Sequence, residues 1–209
     1  MPRYSLIIFD FDGTLADSAK WVIRTLNENA ARFGMRTVSD AEVQMLRGRS
    51  NRDIIRYLGV PLWRVPQIAA DMRRRVGQEA EQIKLFDGVD DLLRTLKASG
   101  VRIAIVSSND EANVRRILGA ENTALIDLFD CSASMFGKSH KIRSVLSRAA
   151  VAPRDAVCIG DETRDIEAAK DARIDSGAVV WGYANAEILE RFKPTLMFRT
   201  LAEIAALAG

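Results

Sequence analysis

The chain has 209 residues, 48% of them apolar, with a formal charge of +2 and two cysteines. That is enough apolar material for a sizeable core, either in one large domain or in a core carrying a smaller insert. The near-neutral charge argues against a nucleic-acid partner, whose binders carry a basic stripe. No segment is long enough to span a membrane, and the N-terminal apolar run, cut short by Asp10 and Asp12, is not a signal peptide. Cys131 and Cys158 sit in apolar segments without metal-ligand spacing, as reduced core residues of a cytoplasmic protein do.

The first element is Leu6-Ile7-Ile8-Phe9, a run too brief for a buried helix and suited to a parallel strand covered on both faces. Asp10-Phe11-Asp12-Gly13-Thr14 follows at its carboxyl end, where open α/β sheets bind ligands. Two acids so close are costly to bury unless a cation or a proton compensates them, so the pair points to a metal site with acid chemistry. Gly13 lets the chain turn sharply, and Thr14 and Leu15 lead into a helix. From residue 16 to 84 the pattern is helical only. Ala19, Val22, Ile23, Leu26, Ala30 and Phe33 recur as one apolar face. Further helices are expected after Ser39, Ser50 and Pro66, with Ser39-Asp40-Ala41-Glu42 as a capping box. Arg73-Arg74-Arg75 reads as a solvated helix face. Trp21, Trp63 and Trp181 fit either the core or the interface of this helical segment.

From about Phe86 onward, short β-type runs alternate with helical patterns. A helix ending near Ser99-Gly100 precedes a strand over 101–106. Ser107-Ser108-Asn109 then places two hydroxyls and an amide before the next helix, a phosphate cradle or an ordinary helix cap. Fainter strands are expected over 128–131 and 195–198. Gly137-Lys138 precedes a helix around Ile142 to Ala149; Lys138 is placed to act as a point charge on phosphate oxygens, with Lys141 its rival one turn on. A strand over 156–160 ends in Gly160-Asp161-Glu162-Thr163-Arg164-Asp165. The spacing predicts that one helical turn brings Asp161 and Asp165 to the same face, a donor pair suited to Mg²⁺. A last strand is expected over 177–181. The fold class is α/β: a doubly wound parallel sheet formed by residues 1–15 and 85–209. An all-helical cap, residues 16–84, is inserted after the first strand, with hinges near 15–18 and 83–87.

Taken in order, Asp10-Phe11-Asp12-Gly13-Thr14-Leu15, Ser107, Lys138 and Gly160-Asp161-Glu162-Thr163-Arg164-Asp165 resemble the motifs of the haloacid dehalogenase-like hydrolase superfamily over nearly the whole chain. The helical insert is similar to the cap of the phosphoglycolate phosphatase and β-phosphoglucomutase branch. One departure is Lys138-Ser139-His140-Lys141, where that branch often has Pro-x-Pro after the lysine; Lys138 and Lys141 both remain candidates. The resemblance implies a Rossmann-like core, a Mg²⁺ cofactor and a phosphatase acting through an aspartyl-phosphate. In that scheme Asp10 is the nucleophile and Asp12 the acid and base, with Ser107 and Lys138 holding the phosphoryl oxygens. Asp10, Asp12 (through its carbonyl), Asp161 and Asp165 are the metal ligands. Thr14, Ser108 and Asn109 are expected on the substrate, together with Arg49 and Arg52 of a loop resembling the one that faces the active site in relatives.

An acid at Asp12 separates this chain from dehalogenases, whose halide leaves without a proton. Lys20 and Lys84 are the only lysines between residues 16 and 84, which argues against the Schiff-base lysine of phosphonate-cleaving relatives. The implied partner is a small phosphorylated metabolite, phosphoglycolate or a sugar phosphate, and the implied state a monomer or homodimer. The alternatives are a sugar phosphomutase on the same scaffold and, from another class, a signalling module phosphorylated on a strand-end Asp. Receiver domains of that class lack the helical insert.

Overall fold

The computed structural model describes residues 2–131 and 137–209. β1 (Leu6–Phe9) leads to the short β2 (Ala16–Asp17). Five helices follow: α1 (Ala19–Glu28), α2 (Ala30–Phe33), α3 (Asp40–Leu46), α4 (Asn51–Tyr57) and α5 (Val65–Glu79). After β3 (Lys84–Leu85) the chain alternates: α6 (Val89–Ala98), β4 (Arg102–Ser107), α7 (Glu111–Leu125), β5 (Leu128–Cys131), α8 (Lys138–Ala149) and β6 (Ala156–Gly160). It ends with α9 (Thr163–Ala172), β7 (Asp175–Val179), α10 (Ala186–Arg191), β8 (Leu196–Phe198) and α11 (Leu201–Ala205).

Six strands form one parallel sheet in the order β5–β4–β1–β6–β7–β8. Every side chain of β1 is buried because helices cover both faces. Ile7 and Phe9 join one apolar layer with Ile103, Ile105 and Leu93. Leu6 and Ile8 face the other, with Ile142, Val145 and Ala169. The chain leaves β1 towards β4 and β5 and later returns on its other side to β6. Phe9 pairs with both Ile105 and Ile159, so the carboxyl ends of β4, β1 and β6 lie side by side at the crevice where the strand order diverges.

The helical segment has a small apolar cluster of its own, Ala30, Phe33 and Met35, packed by Leu26, Leu58 and Ile68. Its two connections to the sheet pair with each other as an antiparallel ribbon, Ala16 opposite Leu85 and Asp17 opposite Lys84. Ser39 and Glu42 form the expected capping box. Ser50 caps α4, and the next helix starts at Val65, one residue before Pro66.

Three details differ from the sequence reading. The apolar stripe from Ala19 to Phe33 is split at Asn29, whose side-chain amide donates to the Thr25 carbonyl, and α1 buries Trp21 and Thr25. Arg73, Arg74 and Arg75 do not form one solvated face: Arg74 and Arg75 join Arg32 around the buried Asp71, while Arg73 approaches Asp110. The strand expected over 177–181 runs from Asp175 to Val179 instead. Asp175 and Ser176 look like turn residues but pair with β6, and Ser176 exchanges hydrogen bonds with Thr195. Trp181 lies past the strand, its indole donating to the Thr14 carbonyl. Trp63 is exposed. Among the described residues, no helix is long and apolar enough to cross a membrane.

Candidate active site

The three central strands end in Asp10, Ser107 and Gly160-Asp161, and α8 and α9 begin beside them. Asp10, Asp161 and Asp165 are all buried, and each offers a carboxylate oxygen within 4.8 Å of the others. The carboxylates converge by a route other than the one expected. Asp161 lies outside the helix, in the turn after β6, and Asp165 is in the first turn of α9, where it accepts from the Glu162 amide at 2.9 Å. One acid reaches the cluster from a strand end and the other from a helix start.

Lys138 Nζ sits between two of these acids, 2.9 Å from Asp10 Oδ1 and 2.6 Å from Asp165 Oδ1. Lys141, the rival, donates instead to the Ser107 carbonyl at 2.7 Å. Burial pushes the Asp10 carboxyl up to about 6, against the pull of the Lys138 ammonium. Asp165 is held below the usual carboxylate range, because Lys138 and Arg164 together outweigh its burial. Burial, with Glu162 and Asp10 nearby, raises Asp161 well above that range. Asp161 accepts from Thr14 Oγ1 at 2.9 Å and from the Tyr183 amide at 2.7 Å.

Asp12 stands apart from the three clustered acids. Its carboxylate accepts from Asn109 Nδ2 at 3.2 Å. Burial raises its pKa, while the hydrogen bonds of Asn109 and Ser18 pull it back. Asn109 is in turn oriented by Asn113, which donates to its Oδ1 at 3.0 Å. Ser107 Oγ accepts from the Asn109 amide at 3.0 Å, so the loop after β4 is tied to the acid.

Two glycines make room for Asp161. Gly13 has a φ of +82°, and a Cβ there would lie 2.3 Å from Asp161 Oδ2. At Gly182 a Cβ would lie 2.3 Å from the Cβ and Oδ2 of Asp161. The segment after β7 therefore passes directly against a clustered carboxylate.

Several residues expected on the substrate are placed elsewhere. Thr14 is fully buried with its hydroxyl on Asp161, where it orients a carboxylate. Arg49 and Arg52 are exposed; Arg49 lines only a crevice of about 20 Å³ and Arg52 no described cavity. Their neighbours make the connection to the core: Arg47 Nη2 donates to the Gly182 carbonyl at 3.0 Å, and Asn51 Nδ2 to Glu162 Oε2 at 2.5 Å. For the second pair, helical rotation explains the swap, since Asn51 and Arg52 at the start of α4 point about 100° apart. Ser108 and Asn109 do line cavities at the site. The sequence reading assigned no role to Asn51, Arg73, Glu162, Arg164, Gly182 or Tyr183. Glu162 and Arg164 lay inside a quoted motif and Asn51 inside the loop that carries Arg49 and Arg52, whereas nothing local marks the other three.

The donor set suits a hard divalent cation. Three buried carboxylates face one ammonium, and Asp10 Oδ2 is buried without a hydrogen-bond partner. An orphaned carboxylate oxygen at the centre of an acidic cluster fits a ligand atom.

Comparison with known proteins agrees with this architecture. The family model described as haloacid dehalogenase-like hydrolase matches residues 7–179. The chain is 30% identical over 199 residues to the phosphoglycolate phosphatase of Synechococcus elongatus, covering 95% of this chain and 94% of that one. It is also 28% identical over 196 residues to the tyrosine-protein kinase PtkA of Mycobacterium tuberculosis, covering 92% of this chain and 67% of that one. Among solved structures, a putative phosphoglycolate phosphatase from Lactobacillus plantarum superposes with a TM-score of 0.83 at 23% identity, over 98% of this chain and 99% of that one; it is a likeness of fold. The chain belongs to the haloacid dehalogenase-like hydrolase family, in its phosphoglycolate phosphatase-like branch. It is an enzyme of the phosphatase class.

Proposed function

We propose that this phosphatase is Mg²⁺-dependent and hydrolyses a small phosphomonoester through an aspartyl-phosphate on Asp10. Residues 1–15 and 85–209 form the catalytic core in this reading, and residues 16–84 the cap over it. The observation that carries it is the buried cluster of Asp10, Asp161, Asp165 and Lys138 at the carboxyl edge of the sheet, with Asp12 turned aside from it.

Asp10 is the nucleophile: with its carboxyl at about 6 it is ionised at neutral pH, and Oδ2 is the oxygen without a hydrogen-bond partner. Lys138 and Ser107 hold phosphoryl oxygens as charge redistributes. Asp12, its pKa raised by burial, protonates the leaving oxygen and then takes a proton from the attacking water. Asn109 keeps that carboxyl in place. Asp10, Asp161 and Asp165 would hold Mg²⁺, whose charge lowers the repulsion between an anionic nucleophile and an anionic phosphate. The Asp12 carbonyl would be a further ligand, as the resemblance implies. Two unbridged cysteines, Cys131 and Cys158, suit a reducing cytoplasm.

Phosphate release from a panel of esters including phosphoglycolate and sugar phosphates, in Mg²⁺ or EDTA, tests the proposal. Mg²⁺-dependent release that Asp10→Asn abolishes is the expected result. Isomerisation of a sugar phosphate without phosphate release would replace hydrolysis with phosphoryl return to the substrate. No turnover of any ester by folded protein would refute both.

A further inference from the structure

Two cavities meet at the site and share Ser108 and Arg164 in their walls. One, of about 320 Å³, is lined by Asp10, Ser107, Lys138 and Lys141. The other, of about 380 Å³, has Asp12 and Asn109 at its base and lies under the helical segment. Asp10 lines only the first and Asp12 only the second. In-line displacement puts nucleophile and leaving oxygen on opposite sides of phosphorus, and the acid must reach the leaving oxygen. The alcohol half of the ester therefore belongs in the second cavity.

That cavity is mostly hydrocarbon. Its walls come from α1, α4 and α5, with Trp21, Leu26, Ile54, Ile55, Met72 and Val76 among them. The two arginines within reach each face a carboxylate, although the buried Arg164 Nε has no hydrogen-bond partner. Arg73 Nε lies 3.6 Å from Asp110 Oδ1, and Arg164 Nη2 lies 2.5 Å from Glu162 Oε1. The Asn51 amide is held by the same Glu162 carboxylate, and Tyr183 shares a hydrogen bond with Ser18. Asp12 and Glu162 line the same space, so a second anionic group on the substrate would meet two carboxyls beside Arg73 and Arg164, each of which already faces a carboxylate of its own. A hydroxyl-rich sugar would lose hydration against apolar walls with few polar groups to replace it.

We infer that the preferred substrate is a phosphomonoester of a neutral, apolar, ring-sized alcohol or phenol. This rests on the phosphatase reading above and deepens it, by setting the substrate class apart from phosphoglycolate and sugar phosphates.

The test compares esters of similar leaving-group chemistry, so that intrinsic reactivity does not mimic binding: 2-phenylethyl phosphate, ethyl phosphate, phosphoglycolate and glucose 6-phosphate, all with Mg²⁺. Burial of one phenyl ring should raise kcat/KM for the phenylethyl ester about thirty-fold over ethyl phosphate. It should also exceed both metabolites, with most of the gain in KM. Ala69→Phe, which fills the cavity from α5, should cut the ratio of phenylethyl to ethyl ester about ten-fold. Equal kcat/KM for the two alkyl esters, or preference for phosphoglycolate or the sugar phosphate, overturns the assignment. Calorimetric binding of the same esters to Asp10→Asn separates the two readings. Tighter binding of the phenylethyl ester without any wild-type turnover supports the cavity assignment and refutes hydrolysis. Equal binding refutes the cavity assignment whatever the turnover.

Discussion

Replacing Lys138 with Met tests the charge arrangement of the site most directly. The ammonium is 2.9 Å from Asp10 and 2.6 Å from Asp165, and its side chain is only 14% exposed. With an effective dielectric of about 20, each contact has a Coulomb attraction of about 6 kcal/mol, opposed by the cost of drying three ions. Methionine keeps the volume but leaves two buried carboxylates facing each other. Breaking a buried pair in this way costs about 3–5 kcal/mol; proton uptake by one acid relieves part of it, so about 3 kcal/mol is expected. For a chain of this size that lowers Tm by about 6–12 °C.

The sign of the pH dependence follows. Without the lysine, the folded-state pKa values of Asp10 and Asp165 rise above their unfolded value of roughly 3.9. A raised carboxyl destabilises the fold increasingly as pH climbs from the unfolded towards the folded value. The deficit of the variant should therefore be larger at pH 8 than at pH 5. Differential scanning calorimetry in EDTA at both values measures it. Added Mg²⁺ should raise the variant's Tm by more than the wild type's, because the facing carboxylates regain a cation. A variant that melts with the wild type at pH 8 in EDTA would refute the reasoning.

Gly182→Ala should abolish Mg²⁺-dependent phosphate release and cost about 1–3 kcal/mol in a denaturant melt, since its Cβ would lie 2.3 Å from Asp161; wild-type turnover would show that the segment gives way freely. Asp71→Asn should destabilise the protein by about 1–2 kcal/mol at pH 7, because Asp71 is buried but two of its three arginine partners are more than half exposed. The Arg75, Arg32 and Arg74 contacts hold the Asp71 carboxyl below its usual value, so its contribution is present above about pH 4 and disappears as acid protonates it. Melts at pH 7 and pH 3 should show the two proteins converging at the lower pH.

The parts of the site that sit at strand ends were readable from local sequence. An apolar run buried on both faces has nowhere to hide a charge, so Asp10, Ser107 and Asp161 stand out where the runs stop. The capping box at Ser39 was readable for a similar reason, since its two hydrogen bonds are made within four residues. Arginines in a loop carry no such mark. Arg49 and Arg52 look no different from Arg47, yet only Arg47 donates to the core at Gly182. Ser176 resembled a turn residue until Thr195, nineteen positions away, supplied its partner.

The sequence by itself determined the α/β alternation, the helical insertion and the acids at the strand ends, because burial period and turn chemistry act over a few residues. The tertiary structure decided which carboxylates share a cation, that Lys138 rather than Lys141 stands between Asp10 and Asp165, and that Thr14 serves Asp161. It alone decided that Trp21, Ile55 and Met72 line a cavity open to Asp12. A side chain on an apolar helical face has the same periodicity whether it meets a core or an empty space, and only the packing of α1, α4 and α5 over the sheet settles which.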